Sequence, residues 1–240
     1  MIRAIRFWLT LVGSVLYYAT RVLWAALRRV PYRPGGIYDQ VPVAWCRFML
    51  RANGLTVGVQ GAEHLAGLGP CVFVANHQSW VDVWAACTAL PGPLRFVAKE
   101  ELTRIPFFGP ALRAAGHISI DRKDRTSAVA AYARAAEIVR QGVRAVIFAE
   151  GTRSRTGRLQ PFKKGPFVLA ILAQVPVVPV FIEGTFDILP KGAGCPRPGP
   201  ITVHIGPPIA TTGLRYEDRD ALIARCRAAM VAMGAKDEPG

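Results

Sequence analysis

His77 and Asp82 stand in "NHQSWVD" (76–82), directly behind the apolar run "CVFVA". An imidazole with a carboxylate five positions further on supports two readings. In one, Ser79-x-x-Asp82 is a capping box, Asp82 suits the positive end of a helix dipole, and His77 is a loop histidine satisfied by backbone. In the other, His77 lies on the turn before the helix and Asp82 in its first turn. The carboxylate then reaches back to one imidazole nitrogen, fixes the tautomer and leaves the other nitrogen as a general base. The turn is required, because on a regular helix the two side chains would stand ~140° apart. Ser79 competes with its own capping role, and no other serine or cysteine presents itself as a nucleophile. A base of this kind takes its proton from a substrate hydroxyl.

Further polar residues cluster in short motifs. "FAEGTRS" (148–154) sets Glu150 and Arg153 on a glycine-containing turn whose backbone N–H groups could meet an anion; alone, it reads as a surface turn. "KEELTRIPFFG" (99–109) joins Lys99 to an apolar wedge, "SIDR" (119–122) ends on Arg122, and "PFKKG" (161–165) adds Lys163 and Lys164.

These residues need elements to hold them. From residue 55, β-branched runs alternate with alanine-rich stretches. Strands are predicted at 55–59, 71–75, 94–98, 117–120, 144–149, 177–182 and 201–205. Helices are predicted at 79–89, 100–104, 109–115, 125–141, 164–174 and 216–233. The pattern implies an α/β fold: a mixed, largely parallel sheet of about seven strands flanked by helices, with an N-terminal membrane-associating helical segment. Nearly every chemistry-bearing residue directly follows a strand, so in a mostly parallel sheet these loops meet at one rim. Three regions are expected: a helical segment over 1–52, the α/β domain over 53–233 and a disordered tail over 234–240.

The chain has 240 residues, 51% of them hydrophobic, and a net charge of +14; its mean hydropathy is +0.25. That balance suits anionic lipid rather than nucleic acid, since the arginines are dispersed among apolar segments and form no basic stripe. The five cysteines form no CxxC pair, which implies a reducing compartment and neither disulfides nor zinc. His64, His77, His117 and His204 show no ligand spacing. In the N-terminal segment, Arg3, Arg6, Thr10, Ser14, Tyr17, Arg21 and Arg28 fall in one stripe of a helix otherwise made of Trp, Leu, Val, Phe and Ala. As a helix, the uncharged run Phe7–Thr20 covers roughly 21 Å, short of a ~30 Å hydrocarbon core. A helix lying in the membrane interface fits best. A helix packed on the protein's own core, or a tilted span with Arg21 snorkelling, are the alternatives. "PYRPGG" (31–36) breaks it, and Val43–Leu50 can return as a second arm. No candidate site residue lies in 1–30, so removing that segment should weaken attachment and spare the chemistry.

Taken together and in this order, "NHQSWVD", "KEELTRIPFFG", "GHISIDR", "FAEGTRS", "FKKG" and "VPVVPVFIEGT" (175–185) closely resemble the glycerolipid acyltransferase family, the 1-acyl-glycerol-3-phosphate (lysophosphatidic acid) acyltransferases and their relatives. The resemblance covers about residues 53–210, with Ala149 where a proline is usual and His117 where the strand is usually apolar. It implies His77 as the base on an acceptor hydroxyl and Asp82 as its partner. Arg122, Gly151, Thr152 and Arg153 would bind the acceptor phosphate. Glu150 would position the acceptor through its free hydroxyl or by fixing Arg153, with Asn76, Ser79, Lys99 and Lys163 as helpers. The implied reaction carries a fatty acyl group from an acyl-CoA or acyl carrier protein thioester to lysophosphatidic acid, giving phosphatidic acid, with no cofactor and no metal. The implied place is the cytoplasmic face of the cell inner membrane. An acceptor such as lyso-ornithine lipid would fit the same motifs. An inert membrane-surface lipid-binding protein would not be expected to keep both His77/Asp82 and "EGTRS" intact.

Overall fold

The computed structural model describes residues 2–120 and 125–238, with side chains throughout except at 125–129. Two N-terminal helices, α1 (Ile2–Leu27) and α2 (Ile37–Ala52), lead into β1 (Leu55–Gln60), β2 (Val72–Ala75), α3 (Val81–Ala89) and β3 (Leu94–Lys99). A 3-10 turn, Glu100–Arg104, precedes α4 (Phe108–Ala114), β4 (Ile118–Ile120), α5 (Arg125–Arg140), β5 (Arg144–Phe148) and α6 (Gly165–Ala173). The chain then forms β6 (Val177–Glu183), α7 (Thr185–Ile188), β7 (Gly199–Ile205) and α8 (Arg219–Ala232). Each predicted strand is present, with ends displaced by a residue or two. The segments predicted as helices at 100–104 and 216–218 are instead 3-10 turns.

Among the described residues the strands form one seven-stranded sheet in the order β1-β7-β6-β2-β5-β3-β4. Only the β6–β7 pairing is antiparallel. Strands β2 to β6 therefore point the same way, and their carboxyl ends share one rim. The central strand β2 is buried on both faces: Val72 and Val74 join a core built with α5, α6 and α8, while Phe73 and Ala75 join one built with α2 and α3. Burial on both faces is why the strand reads as a continuous apolar run and not as an alternation.

The N-terminal helices are welded to this body. Phe7, Cys46, Met49 and Leu50 belong to the same core as β2 and α3, and Ala19, Val22 and Ala25 pack with Ala111 of α4 and with Ala115 just after it. Asp39 on α2 accepts from Arg95 Nη1 at 2.7 Å, both side chains nearly buried. One face of α1 is thus a packed face, and it takes in Ser14 of the polar stripe, whose hydroxyl accepts from Trp45 Nε1 at 3.0 Å. The opposite face leaves Ile2, Ile5, Leu9, Val12, Leu16 and Leu27 exposed. Removing residues 1–30 would therefore open the core, contrary to the expectation that the segment can be deleted cleanly.

The tail corrects a second expectation. Residues 234–238 are not disordered: Ala235 is buried, Leu159 N–H donates to Lys236 O at 2.8 Å, and Arg227 pairs with Asp237 at 2.6 Å. Position at the chain terminus suggested a free end, whereas the loop after β5 supplies a backbone partner. Residues 239–240 lie outside the described residues.

Candidate active site

The loop leaving β2 turns into α3 within five residues, and Asp82 in the first turn folds back over it. Asp82 Oδ2 accepts from His77 Nδ1 at 2.8 Å and from the backbone N–H groups of Gln78 and Ser79, both at 2.7 Å. Its Oδ1 accepts from Thr185 Oγ1 at 2.5 Å. One oxygen thus orients the histidine and also holds the backbone of the turn that leads into α3, whose N-cap residue, Trp80, makes no side-chain cap. With Nδ1 donating to a carboxylate, the lone pair resides on Nε2. The Asp82 side chain is 0% exposed and that of His77 16%, so the imidazole, not the carboxylate, can meet a substrate. The ring is stacked on Phe148, with centroids 4.2 Å apart and planes 18° apart.

Neighbouring polar residues are braces. Asn76 exchanges two hydrogen bonds with the Ile182 backbone, tying the end of β2 to β6. Ser79 Oγ donates to Leu189 O and accepts from Val81 N–H; being fully buried, it holds the turn and is no nucleophile.

The loop after β5 closes on the same histidine. Ala149 N–H donates to Ala75 O at 2.8 Å, a bond that a proline at this position could not make. Ser154 N–H donates to His77 O at 2.7 Å. Gly151 sits at φ 72°, where a side chain would strain the turn. Thr152 is exposed, and the Arg153 guanidinium lies over the Trp80 ring, 5.0 Å from its centroid. Burial lowers the Arg153 pKa, with the Asp82 charge opposing the shift; a guanidinium nevertheless stays charged. Lys99 ends β3 and Lys163 follows on the loop toward α6, both exposed. Arg122 lies outside the described residues. His117 is placed structurally: its Nδ1 accepts from Phe96 N–H at 3.1 Å. Burial, then the Arg95 guanidinium, pull its pKa down to about 4.

Glu150 is turned toward the backbone of the histidine. It is 1% exposed, its Oε1 accepts from His77 N–H at 2.8 Å, and its Oε2 accepts from Gln160 Nε2 at 2.9 Å. Both oxygens of the carboxylate are thus taken up by protein donors, one of them the backbone N–H of the histidine itself. Thr185, at the end of the "EGT" that follows a strand, and Gln160, not singled out in the sequence, supply donors to the two buried carboxylates. Thr185 follows a strand on the shared rim, which was a usable signal; Gln160 carried none.

Burial raises the Glu150 pKa from 4.5 to about 7, against the donors from His77 and Gln160 and with help from the Asp82 charge. The native state then holds a proton that the unfolded chain releases between pH 4.5 and about 7. This contribution is fully stabilising below pH 4.5 and is lost as pH rises through 7, at a cost on the order of 3 kcal/mol. Urea midpoints at pH 5 and pH 8 should fall more steeply for the wild type than for Glu150→Gln. Equal slopes would contradict the assignment.

Among the described residues there is no group of three or more His, Cys, Asp or Glu side chains placed to hold a metal ion. Fold and site together describe an α/β protein whose rim carries a histidine prepared to accept a proton, next to a cation on an aromatic platform. A family model for acyltransferases matches residues 56–183. The 1-acyl-sn-glycerol-3-phosphate acyltransferase alpha of Ovis aries is 38% identical over 181 residues, 75% of this chain and 63% of that protein. The protein of the same name from Homo sapiens is 38% identical over 75% of this chain and 64% of its own. The 1-acyl-sn-glycerol-3-phosphate acyltransferase of Limnanthes douglasii is 32% identical over 85% of this chain and 72% of its own. The chain belongs to the acyltransferase family. It spans slightly less than two thirds of the length of the mammalian relatives. The fold is shared with the crystal structure of the 1-acyl-sn-glycerophosphate (LPA) acyltransferase, PlsC, from Thermotoga maritima. The TM-score is 0.77 at 24% identity, covering 99% of this chain and 97% of the other.

Proposed function

We propose that this protein transfers a fatty acyl group from an acyl thioester, on coenzyme A or acyl carrier protein, to the free hydroxyl of 1-acyl-glycerol-3-phosphate, giving phosphatidic acid. The observation that carries the reading is the His77–Asp82 pair at 2.8 Å with Arg153 held over Trp80 of the same motif. His77 Nε2 takes the hydroxyl proton as the oxygen attacks the thioester carbonyl carbon. The tetrahedral adduct collapses, the carbon–sulfur bond breaks, and the proton passes from His77 to the leaving thiolate. Asp82 stabilises the imidazolium between these steps. Arg153, with the Gly151–Thr152 backbone and Arg122, binds the acceptor phosphate, and Lys99 and Lys163 add positive charge around it. Charge-assisted bonds of this kind favour a phosphomonoester over a neutral head group by roughly 10–100-fold. Purified protein offered lysophosphatidic acid, lysophosphatidylcholine, lyso-ornithine lipid and monoacylglycerol, with both donor types, should acylate the first by that margin. Equal use of monoacylglycerol would overturn the head-group reading.

The protein works at a membrane, at the cytoplasmic face of the inner membrane in this reading. Support comes from α1, the one described helix long and apolar enough to cross a bilayer, whose outward face is apolar while its inward face is packed. A helix with that division lies in the interface with Leu9 and Leu16 down, each contributing roughly 1.5–3 kcal/mol. Arginines beside an anionic surface add about 1 kcal/mol each, and that part is screened by salt. Leu9→Asp with Leu16→Asp should stop flotation with liposomes at high salt without unfolding the body. Unchanged flotation of the doubly substituted protein would place attachment elsewhere.

A further inference from the structure

The loop that carries Arg153 is held from behind by the end of the chain. Arg227 on α8 donates to Gln160 O at 2.7 Å and to Leu159 O at 3.0 Å, and pairs with Asp237. Beyond α8 the chain turns back and pairs with Leu159 as a short parallel bridge. Leu159 N–H donates to Lys236 O and Glu238 N–H to Leu159 O. Arg158 Nη1 donates to Asp237 O, and Thr156 Oγ1 to Glu238 Oε1. Leu159 itself is buried, so the strap also closes the core. Gln160, the next residue, points the other way in the bonding network: its amide donates to Glu150 Oε2 and, at 3.4 Å, to Thr152 O.

The bonds form one continuous line. It runs from Asp237 to Arg227, then to the Gln160 carbonyl, the Gln160 amide, the Glu150 carboxylate and the His77 N–H. A carboxylate that is 1% exposed cannot turn to find another donor; losing the Gln160 side-chain amide would leave Oε2 with only the long bond from the Gln160 backbone N–H, at 3.4 Å, and let the group shift. What shifts with it is the backbone of the residue bearing the imidazole.

We propose that Gln160 is a positioning residue for His77, acting through Glu150, and that Arg227 with the C-terminal segment 235–238 forms a strap that keeps Gln160 in place. The proposal rests on the reading of His77 as the base. It assigns a catalytic consequence to Arg227 and the C-terminal segment, which are remote in sequence from every motif residue.

The test uses the full chain with Gln160→Met, which keeps length and volume but removes the amide, and with Arg227→Lys, which keeps the charge facing Asp237 but not the two-pronged donation. Steady-state transfer to lysophosphatidic acid is measured beside hydrogen exchange of the peptide covering 73–82. Gln160→Met should lower kcat about ten- to a hundredfold, with the donor KM near wild type, because the base is displaced and the donor site is not. The His77, Gln78 and Ser79 amides should exchange faster. Arg227→Lys should change both quantities in the same direction and by less. If both variants lose thermal midpoint but keep wild-type kcat and wild-type protection over 76–79, the strap is only structural and the proposal is wrong. If the wild-type chain does not acylate the acceptor, the reading of its substrate falls. The exchange data then still decide whether Gln160 holds His77.

Discussion

His77→Ala is expected to abolish acyl transfer while leaving the protein folded. The variant loses the proton acceptor, and general-base assistance contributes roughly 10²–10⁴-fold. Little else depends on the side chain: the bonds that shape the turn come from the backbone N–H groups of His77, Gln78 and Ser79 and from the His77 carbonyl. Asp82→Asn is the sharper companion. An asparagine oxygen in place of Oδ2 can still accept from Nδ1 and from the two backbone groups, and its amide can donate to a rotated Thr185 hydroxyl. The shape of the site survives and the negative charge does not, so turnover should fall by a factor in the same range while the thermal midpoint falls only modestly. Because one carboxylate both braces the turn before α3 and orients His77, a stability loss alone decides nothing. Near-normal turnover in Asp82→Asn would show that bracing the turn is the whole of its role.

Arg153→Ala should raise the Michaelis constant for a phosphorylated acceptor about 10–100-fold and leave that for the acyl donor nearly unchanged. The guanidinium is carried on a loop, and its place is set by the Trp80 face at 5.0 Å. Cation–aromatic attraction at a partly exposed site contributes ~0.5–1 kcal/mol, and more where water is excluded. Trp80→Phe should therefore retain most of the acceptor affinity and Trp80→Ala should lose a further few-fold, in the same direction as Arg153→Ala but smaller. Parallel losses for phosphorylated and neutral acceptors would show that Arg153 supports the loop and does not bind phosphate.

What could be read from the sequence was local. Strands announced themselves because the middles of β2, β5 and β6 are buried on both faces and form continuous apolar runs. The His77–Asp82 pairing was legible as one of two possibilities because both residues lie within a single turn. The role of Glu150 was not, since it depends on a backbone N–H 73 residues away in the chain. Nor was Gln160, because a glutamine between a buried leucine and a proline gives no periodic or chemical signal. For α1, the wheel separated polar from apolar residues but could not say which apolar arc faces the body; Ser14 turned inward because Trp45 offers it a donor. The tail read as a free terminus, although Leu159, in a distant loop, offers its backbone N–H and carbonyl to it.

The most direct measurement is product formation by the purified full chain and by His77→Ala, each supplied with an acyl thioester and 1-acyl-glycerol-3-phosphate, followed by mass spectrometry of the lipid fraction. Phosphatidic acid should accumulate with the wild-type protein together with one free thiol per acyl group transferred, and neither should rise above background with His77→Ala. Phosphatidic acid made equally well by the two proteins would contradict the account.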